Sequence, residues 1–227
     1  MKKVVLGLSG GADSATLLGL LLEQGYEAHC CIFTYGSKHN QYENIAARNV
    51  INFYQSRGFS IVGYFYNLEG VFKAGSSALL QSGGEIPEGH YNDENMKLTV
   101  VPGRNMIFAS IMASLAEAIG AEAIALGVHK GDHTIYPDCR HEFIKALDVA
   151  IYLSTDRKVQ IITPLINDDK AGIIYRGMME LKTQVPYILT RTCYKDQAVA
   201  CGKCGSCRER KEAFESIGLT DPILYEE

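Results

Sequence analysis

Two groups of side chains in this sequence have the types and spacing to do chemistry. The first is Leu8-Ser9-Gly10-Gly11-Ala12-Asp13-Ser14. Glycines at 10 and 11 let the backbone approach an anion closely, and Ser9 and Ser14 add hydroxyls. Asp13 would repel an anion alone, so it suits a ligand of Mg²⁺ that bridges phosphates. No lysine followed by Ser or Thr comes after the last glycine, which excludes a Walker loop, and Gly-x-Gly-x-x-Gly is also missing. A tight strand-to-helix turn explains any two of these residues but not the six from Ser9 to Ser14 together. The second group is Cys193, Cys201, Cys204 and Cys207, four soft ligands within fifteen residues. Four thiolates are what a closed tetrahedral Zn²⁺ site takes, and Lys195, Lys203, Arg208, Arg210 and Lys211 stand near enough to balance the negative charge. A redox Cys-x-x-Cys pair and an iron–sulfur cluster are the competing uses. Cys30, Cys31 and Cys139 read as packed thiols.

The elements that hold these groups follow from hydrophobic pattern. Lys3 to Leu8 is a continuous apolar run closed by glycines, as in a buried parallel strand. Ser14 to Leu22 reads as a helix capped by Asp13 or Ser14 and stopped by Gly25, which puts the glycine loop on a helix N-terminus. Further strands are expected at Ala28–Tyr35, Ser60–Leu68, Ala121–Val128 and Val159–Thr163. Helices alternate with them: one with its apolar face through Ala47, Val50, Ile51 and Tyr54, one over Met106–Ile119 that is apolar nearly all round and so expected to be buried, one through Phe143, Ile144, Leu147 and Ile151, and one over Asp168–Leu181. Alternation of this kind gives right-handed crossovers and a parallel sheet. The segment from Glu69 to Asn95 is longer than most connections and reads as a lid. A last helix runs through Phe214; it and Met106–Ile119 offer apolar surface to a partner.

The chain has 227 residues, 47% hydrophobic and 21% charged, with a net charge of −4. One main α/β core fits that length, and the acidic balance favours small substrates over direct nucleic-acid binding. No run approaches the ~20 apolar residues of a membrane span, so a cytoplasmic protein is expected.

Ser-Gly-Gly-x-Asp-Ser resembles the signature of the N-type ATP pyrophosphatases (PP-loop proteins). Together with Tyr35-Gly36, His39 and Glu43, Val101-Pro102-Gly103-Arg104-Asn105, Gly127-Val128, Asp132, Tyr136-Pro137-Asp138-Cys139-Arg140, Glu142-Phe143 and the four-cysteine tail, it makes the chain resemble the 7-cyano-7-deazaguanine synthase (QueC) family from about Lys3 to Phe214. The resemblance implies a Rossmann-like α/β fold, a five-stranded parallel sheet with helices on both faces, as a PP-loop domain over residues 1–185 with a C-terminal zinc-binding segment over 186–227. It implies a ligase that uses ATP, Mg²⁺ and Zn²⁺ to convert 7-carboxy-7-deazaguanine and ammonia to the nitrile through an acyl-adenylate and an amide, and a homodimer.

By the same resemblance, Leu8 to Ser14 and Lys170 hold ATP, and Asp13, Arg104 and Arg140 serve catalysis. Tyr35, His39, Asp132, Tyr136, Asp138 and Arg140 hold the deazaguanine, and Cys193, Cys201, Cys204 and Cys207 hold zinc. Asp138 also reads as a helix cap, Arg104 as a loop anchor and Lys170 as a solvated first-turn side chain. His129, His133 and His141 have no ligand spacing and read as loop or surface residues. The chain departs from the family at Gly36-Ser37-Lys38-His39 and at Asp132-His133-Thr134-Ile135-Tyr136, where Ile135 replaces a glycine beside the expected base pocket. Stopping at the amide, or coupling to another amine in DNA modification or protein tagging, therefore stays open. A tRNA-modifying PP-loop enzyme should carry a basic RNA surface and a second cysteine pair. A non-catalytic ATP-binding module would release no pyrophosphate.

Overall fold

The computed structural model describes residues 1–73, 75–91 and 94–226. Five strands, β1 (Lys3–Gly7), β2 (Glu27–Thr34), β3 (Ile61–Asn67), β4 (Ala123–Ala125) and β5 (Gln160–Ile162), form one sheet in the order β3-β2-β1-β4-β5. All four pairings are parallel, with Val5 opposite His29 on one side and Ile124 on the other. The expected strands are thus present with ends shifted by one to three residues, and Leu8 and Leu126 beyond them still donate to the Cys31 and Ile162 carbonyls at 2.9 and 3.1 Å.

Side chains alternate between faces along each strand. Val4 and Leu6 join a core with Leu17, Leu18 and Leu21 of α1 (Ala12–Glu23), Val50 and Tyr54 of α2 (Asn40–Gln55), Ile173 and Ile174 of α5 (Lys170–Tyr175) and Phe214 of α6 (Gly205–Ser216). Val5 faces the other way, into a core with Ala109 and Met112 of α3 (Arg104–Ile119) and Ile144 and Leu147 of α4 (His141–Ser154). The chain winds outward from β1 to β3 and then returns to β4. Between the carboxyl ends of β1 and β4 lies the switch point where such sheets bind ligands.

Three expectations are corrected. The α3 helix is not buried all round: its small residues Ala109, Ala113 and Ala116 meet the sheet with Met112, while Met106 is 47% exposed. Only one layer of helices covers this face, so the far side of an apolar helix meets solvent. The last helix, by contrast, offers no apolar surface, because Ala213 and Phe214 are used inside the core. The helix expected over Asp168–Leu181 changes type along its length: α5, capped by Asp169 accepting the Gly172 N–H at 2.8 Å, passes without a break into a π-helical turn over Arg176–Glu180.

The segment read as a lid is fastened down in its described part. Phe72, Leu79, Leu80 and Tyr91 are buried, and the Lys38 N–H donates to the Leu79 carbonyl at 2.8 Å. Ala74, Asn92 and Asp93 of that stretch lie outside the described residues. Among the described residues no helix is long and apolar enough to cross a membrane.

Arg210 fixes the rotation of α6. It is fully buried, and its five N–H groups are all used: two to Asp221 at 2.6 and 2.9 Å, one each to the hydroxyls of Thr190 and Thr192 at 2.7 and 3.0 Å, and one to the Tyr187 carbonyl at 3.0 Å. Arg210→Met would leave the Asp221 carboxylate buried without its counter-charge, bonded only by the Tyr225 hydroxyl at 2.6 Å and the Ile223 N–H at 3.3 Å, and is expected to lower the unfolding free energy by about 3–5 kcal/mol in urea titrations. Arg210→Lys should recover little of it, since an ammonium cannot reproduce the fork.

Candidate active site

The glycine loop leaves β1 and enters α1 at Gly11, which is the N-cap; no side chain caps the helix, although Asp13 and Ser14 were expected to. Both lie inside the first turn, past the position from which a cap can reach back. Ser14 Oγ instead donates to the Gly11 carbonyl at 3.2 Å and sits 3.1 Å from Ser9 Oγ, which accepts the Gly11 N–H at 3.2 Å. The uncapped first turn keeps N–H donors and the positive end of the helix dipole for an anion. Gly10 has φ +84°, and a Cβ there would stand 2.6 Å from the Ala47 nitrogen, so only glycine lets α2 press this closely on the loop.

Asp13 meets Lys170, the first residue of α5, with Nζ donating to Oδ2 at 2.6 Å. Lys170 is 6% exposed, against the expectation of a solvated side chain. A lysine at a helix N-terminus opposes the dipole, and acidic neighbours make up for it here. Its ammonium is also 3.2 Å from His129 Nε2 and 3.3 Å from Glu209 Oε2. His129 is buried, not on the surface: Nδ1 accepts the Gly131 N–H at 3.1 Å, and Nε2 lies 3.6 Å from Asp132 Oδ1 and 3.9 Å from Asp13 Oδ2. Asp132 in turn accepts the Tyr91 hydroxyl at 2.9 Å.

Burial alone would push the Asp13 carboxyl up, but the charge of the Lys170 ammonium and its hydrogen bond hold it below its ordinary value. Burial would likewise lower Lys170, yet Asp13 and Glu209 together push it up. Burial raises Glu209, with Lys170 acting against the rise. Two carboxylates thus share one lysine, and among the described residues the buried Asp13 Oδ1 has no hydrogen-bond partner. A hard divalent cation with oxygen ligands, as Mg²⁺ is, fits that donor set.

Beyond these charges a cavity of about 230 Å³ is lined by Tyr35, His39, Arg104, Tyr136 and Tyr194 as well as by Leu8, Ser9, Gly11, Asp13 and Ser14. Arg104 Nη1 donates to the Tyr35 hydroxyl at 3.2 Å, and the Tyr136 hydroxyl is 2.7 Å from Thr99 Oγ1 and 3.5 Å from the Tyr194 hydroxyl. His39 is buried; Nε2 faces Glu43 at 3.4 Å, and Nδ1 has no hydrogen-bond partner among the described residues. Phe33 and Phe108 also line it, stacked with ring centroids 4.0 Å apart. Flat aromatic walls with a few fixed polar groups suit a planar heterocycle.

Several expected residues lie elsewhere. Gly10 and Ala12 shape the loop from behind. Asp138 is buried outside the cavity and caps α3, its Oδ2 accepting the Asn105 N–H at 3.0 Å. Arg140 is exposed and donates from Nε to the His133 carbonyl at 2.9 Å, and neither residue lines the cavity. Ile135 is buried in the apolar core and does not line it either. Cys139 does line it, but burial pushes its thiol far up, so it is no nucleophile. Burial also raises Cys30, and Cys31 to about 12, in keeping with packed thiols.

The sulfurs of Cys193, Cys201, Cys204 and Cys207 lie within 4.8 Å of one another, all buried. Backbone N–H groups of Lys195 and Cys201 point at Cys193 Sγ, both at 3.4 Å, and those of Lys203 and Cys204 at Cys201 Sγ, at 3.4 and 3.3 Å. Such donors favour thiolates, and four converging thiolates fit a tetrahedral metal with no open position. Between the cysteines the tail sends Tyr194 and Ser206 to the cavity, with Arg191 and Thr192 just before and Glu209 just after them. Arg191 also ties tail to loop, its N–H donating to the Gly10 carbonyl at 2.8 Å.

The sequence profile of the family described as "Queuosine biosynthesis protein QueC" matches residues 3–218. Similar curated proteins include the 7-cyano-7-deazaguanine synthase of Caldicellulosiruptor saccharolyticus, 42% identical over 99% of this chain and 96% of the relative. That of Pseudoalteromonas atlantica is 40% identical over the full length of both. Among solved structures, a 4-thiouridine synthetase–RNA complex with bound ATP superposes with a TM-score of 0.57 at 22% identity, over 87% of this chain and 44% of that one. At that identity the likeness carries the fold alone.

Proposed function

The chain belongs to the QueC family of queuosine biosynthesis proteins, and from that premise we propose that it is an ATP-dependent ligase making 7-cyano-7-deazaguanine from 7-carboxy-7-deazaguanine and ammonia. The observation that carries this reading is the convergence on one cavity of the Ser9–Ser14 loop, Lys170 and the aromatic wall. The substrate carboxylate attacks the ATP α-phosphate and pyrophosphate leaves, giving an acyl-adenylate. Ammonia then displaces AMP to give the amide. A second adenylation on the amide oxygen, followed by loss of AMP and a proton, yields the nitrile.

The residues supply placement and charge. The α1 N-terminus and the Ser9 and Ser14 hydroxyls hold phosphates, and Lys170 neutralises the departing pyrophosphate. Asp13 holds Mg²⁺, which supplies charge neutralisation at the phosphates when bound. Arg104, with Tyr35 at its side, pairs with the substrate carboxylate. Tyr136, His39 and Asp132 present polar edges to the base, and Asp138 acts by fixing the start of α3. Arg140 reaches the substrate only by leaving the His133 carbonyl. The tail carries Zn²⁺ and serves structure. A homodimer belongs to this reading, with Met106 among the exposed apolar side chains available to it.

Mass spectrometry of products from 7-carboxy-7-deazaguanine, ATP and ammonium tests the proposal. The nitrile is expected, with AMP and pyrophosphate formed only when the acid is present. An amide that accumulates without conversion would limit the activity to the first half, and absence of pyrophosphate would leave only nucleotide binding.

A further inference from the structure

Glu209 has no part in the steps above, and its placement is unusually well determined. It stands on α6 two residues after Cys207 and next to Arg210, whose saturated hydrogen bonds prevent the helix from turning. That rotation aims Glu209 into the cavity, with its side chain 14% exposed. Its Oε2 is 3.3 Å from Lys170 Nζ, within ion-pair range, yet accepts no hydrogen bond, because the ammonium is aligned on Asp13 at 2.6 Å. Lys170 therefore stands between a carboxylate it bonds and one that waits for it.

The arrangement has a consequence for the cation. A divalent ion on Asp13 Oδ1 and an ammonium on Asp13 Oδ2 would place two positive centres on one carboxylate among largely buried side chains. We propose that Glu209 is a positioning residue that receives the Lys170 ammonium when a divalent cation takes Asp13, so that lysine and cation occupy the nucleotide site together. This rests on the reading of the Ser9–Ser14 loop as a site for ATP with its metal. Without Glu209, Lys170 has no waiting carboxylate to turn to, stays on Asp13 and competes with the ion there.

Mn²⁺ binding in the presence of saturating α,β-methylene-ATP, followed by electron paramagnetic resonance, tests this without turnover. Glu209→Gln should weaken Mn²⁺ binding by about ten-fold or more. In a Lys170→Met background the same change should be silent, because the competing ammonium is gone; a merely structural role would not depend on that background. Equal affinity of the folded Glu209→Gln variant and the parent would overturn the inference, as would a ten-fold loss in both backgrounds, which would make Glu209 a direct ligand. Should the single variant fail to fold, Glu209→Ala takes its place in both backgrounds, a loss confined to the Lys170 background supporting the inference and any other pattern overturning it. If the unmodified protein binds no Mn²⁺ with the analogue, the nucleotide reading itself falls, and this inference with it.

Discussion

Asp13→Asn is expected to lower pyrophosphate release by about 1,000-fold or more, corresponding to about 4 kcal/mol of transition-state stabilisation, with the protein still folded. Three features set the size of the effect. Asp13 is the first-turn carboxylate of α1 and carries the buried, unpartnered Oδ1. It also holds Lys170 at 2.6 Å, so neutralising it disturbs a cation site and a phosphate partner together. Nucleotidyl transfer depends on charge placement more than on covalent help from side chains, which leaves little to substitute for a lost anion. The fold survives because asparagine keeps the shape, and because Lys170 keeps Glu209 at 3.3 Å, so no isolated charge is left buried. Initial rates with saturating ATP, beside a thermal melt, separate the two effects. Retained activity in Asp13→Asn would remove the loop from the chemistry.

What the sequence conveys about this site depends on how far apart its parts lie along the chain. The Ser9–Ser14 loop and the cysteine tail were legible because each is complete within a few residues and its chemistry is fixed by residue type. A parallel sheet followed from alternation and the handedness of crossovers, but not its order, since neither says that the chain returns past β1 to lay down β4. His129, Glu209 and Arg191 gave no such signal. Each is an ordinary loop or helix residue until β4, α5 and the tail converge on α1, and no local spacing records that convergence. The same reason hid the work of Asp138, which caps a helix beginning 34 residues earlier instead of the one beside it. Periodicity also cannot count layers: α3 is apolar on every side, but only the number of neighbouring helices decides that Met106 meets solvent. Ile135 shows the converse, since a departure beside the expected base pocket proves to point into the apolar core.

The metal of the tail is expected to matter for catalysis as much as for stability. Cys204→Ser, at a fully buried ligand, should abolish stoichiometric zinc in elemental analysis and lower turnover by about 100-fold or more, while the far-ultraviolet circular dichroism of the sheet and its helices changes little. The separation follows from where the tail is anchored. Tyr187 before the cysteines and Phe214 after them belong to the main core, and Arg210 locks α6 through Asp221, Thr190 and Thr192. Those ties do not need the metal. The stretch between them would, on the proposed reading, because four thiolates within 4.8 Å repel one another and a bound cation would offset that repulsion. Loosening it withdraws Tyr194 from the Tyr136 hydroxyl and moves the part of the cavity wall that Tyr194 and Ser206 form. A four-thiolate zinc site is colourless, and cobalt substitution should give the strong visible bands of tetrahedral thiolate coordination. Visible charge-transfer absorption in the protein as isolated would instead identify an iron–sulfur cluster. Either metal would close the same wall, so the loss of turnover in Cys204→Ser tests the architecture, and the spectrum tests the ion.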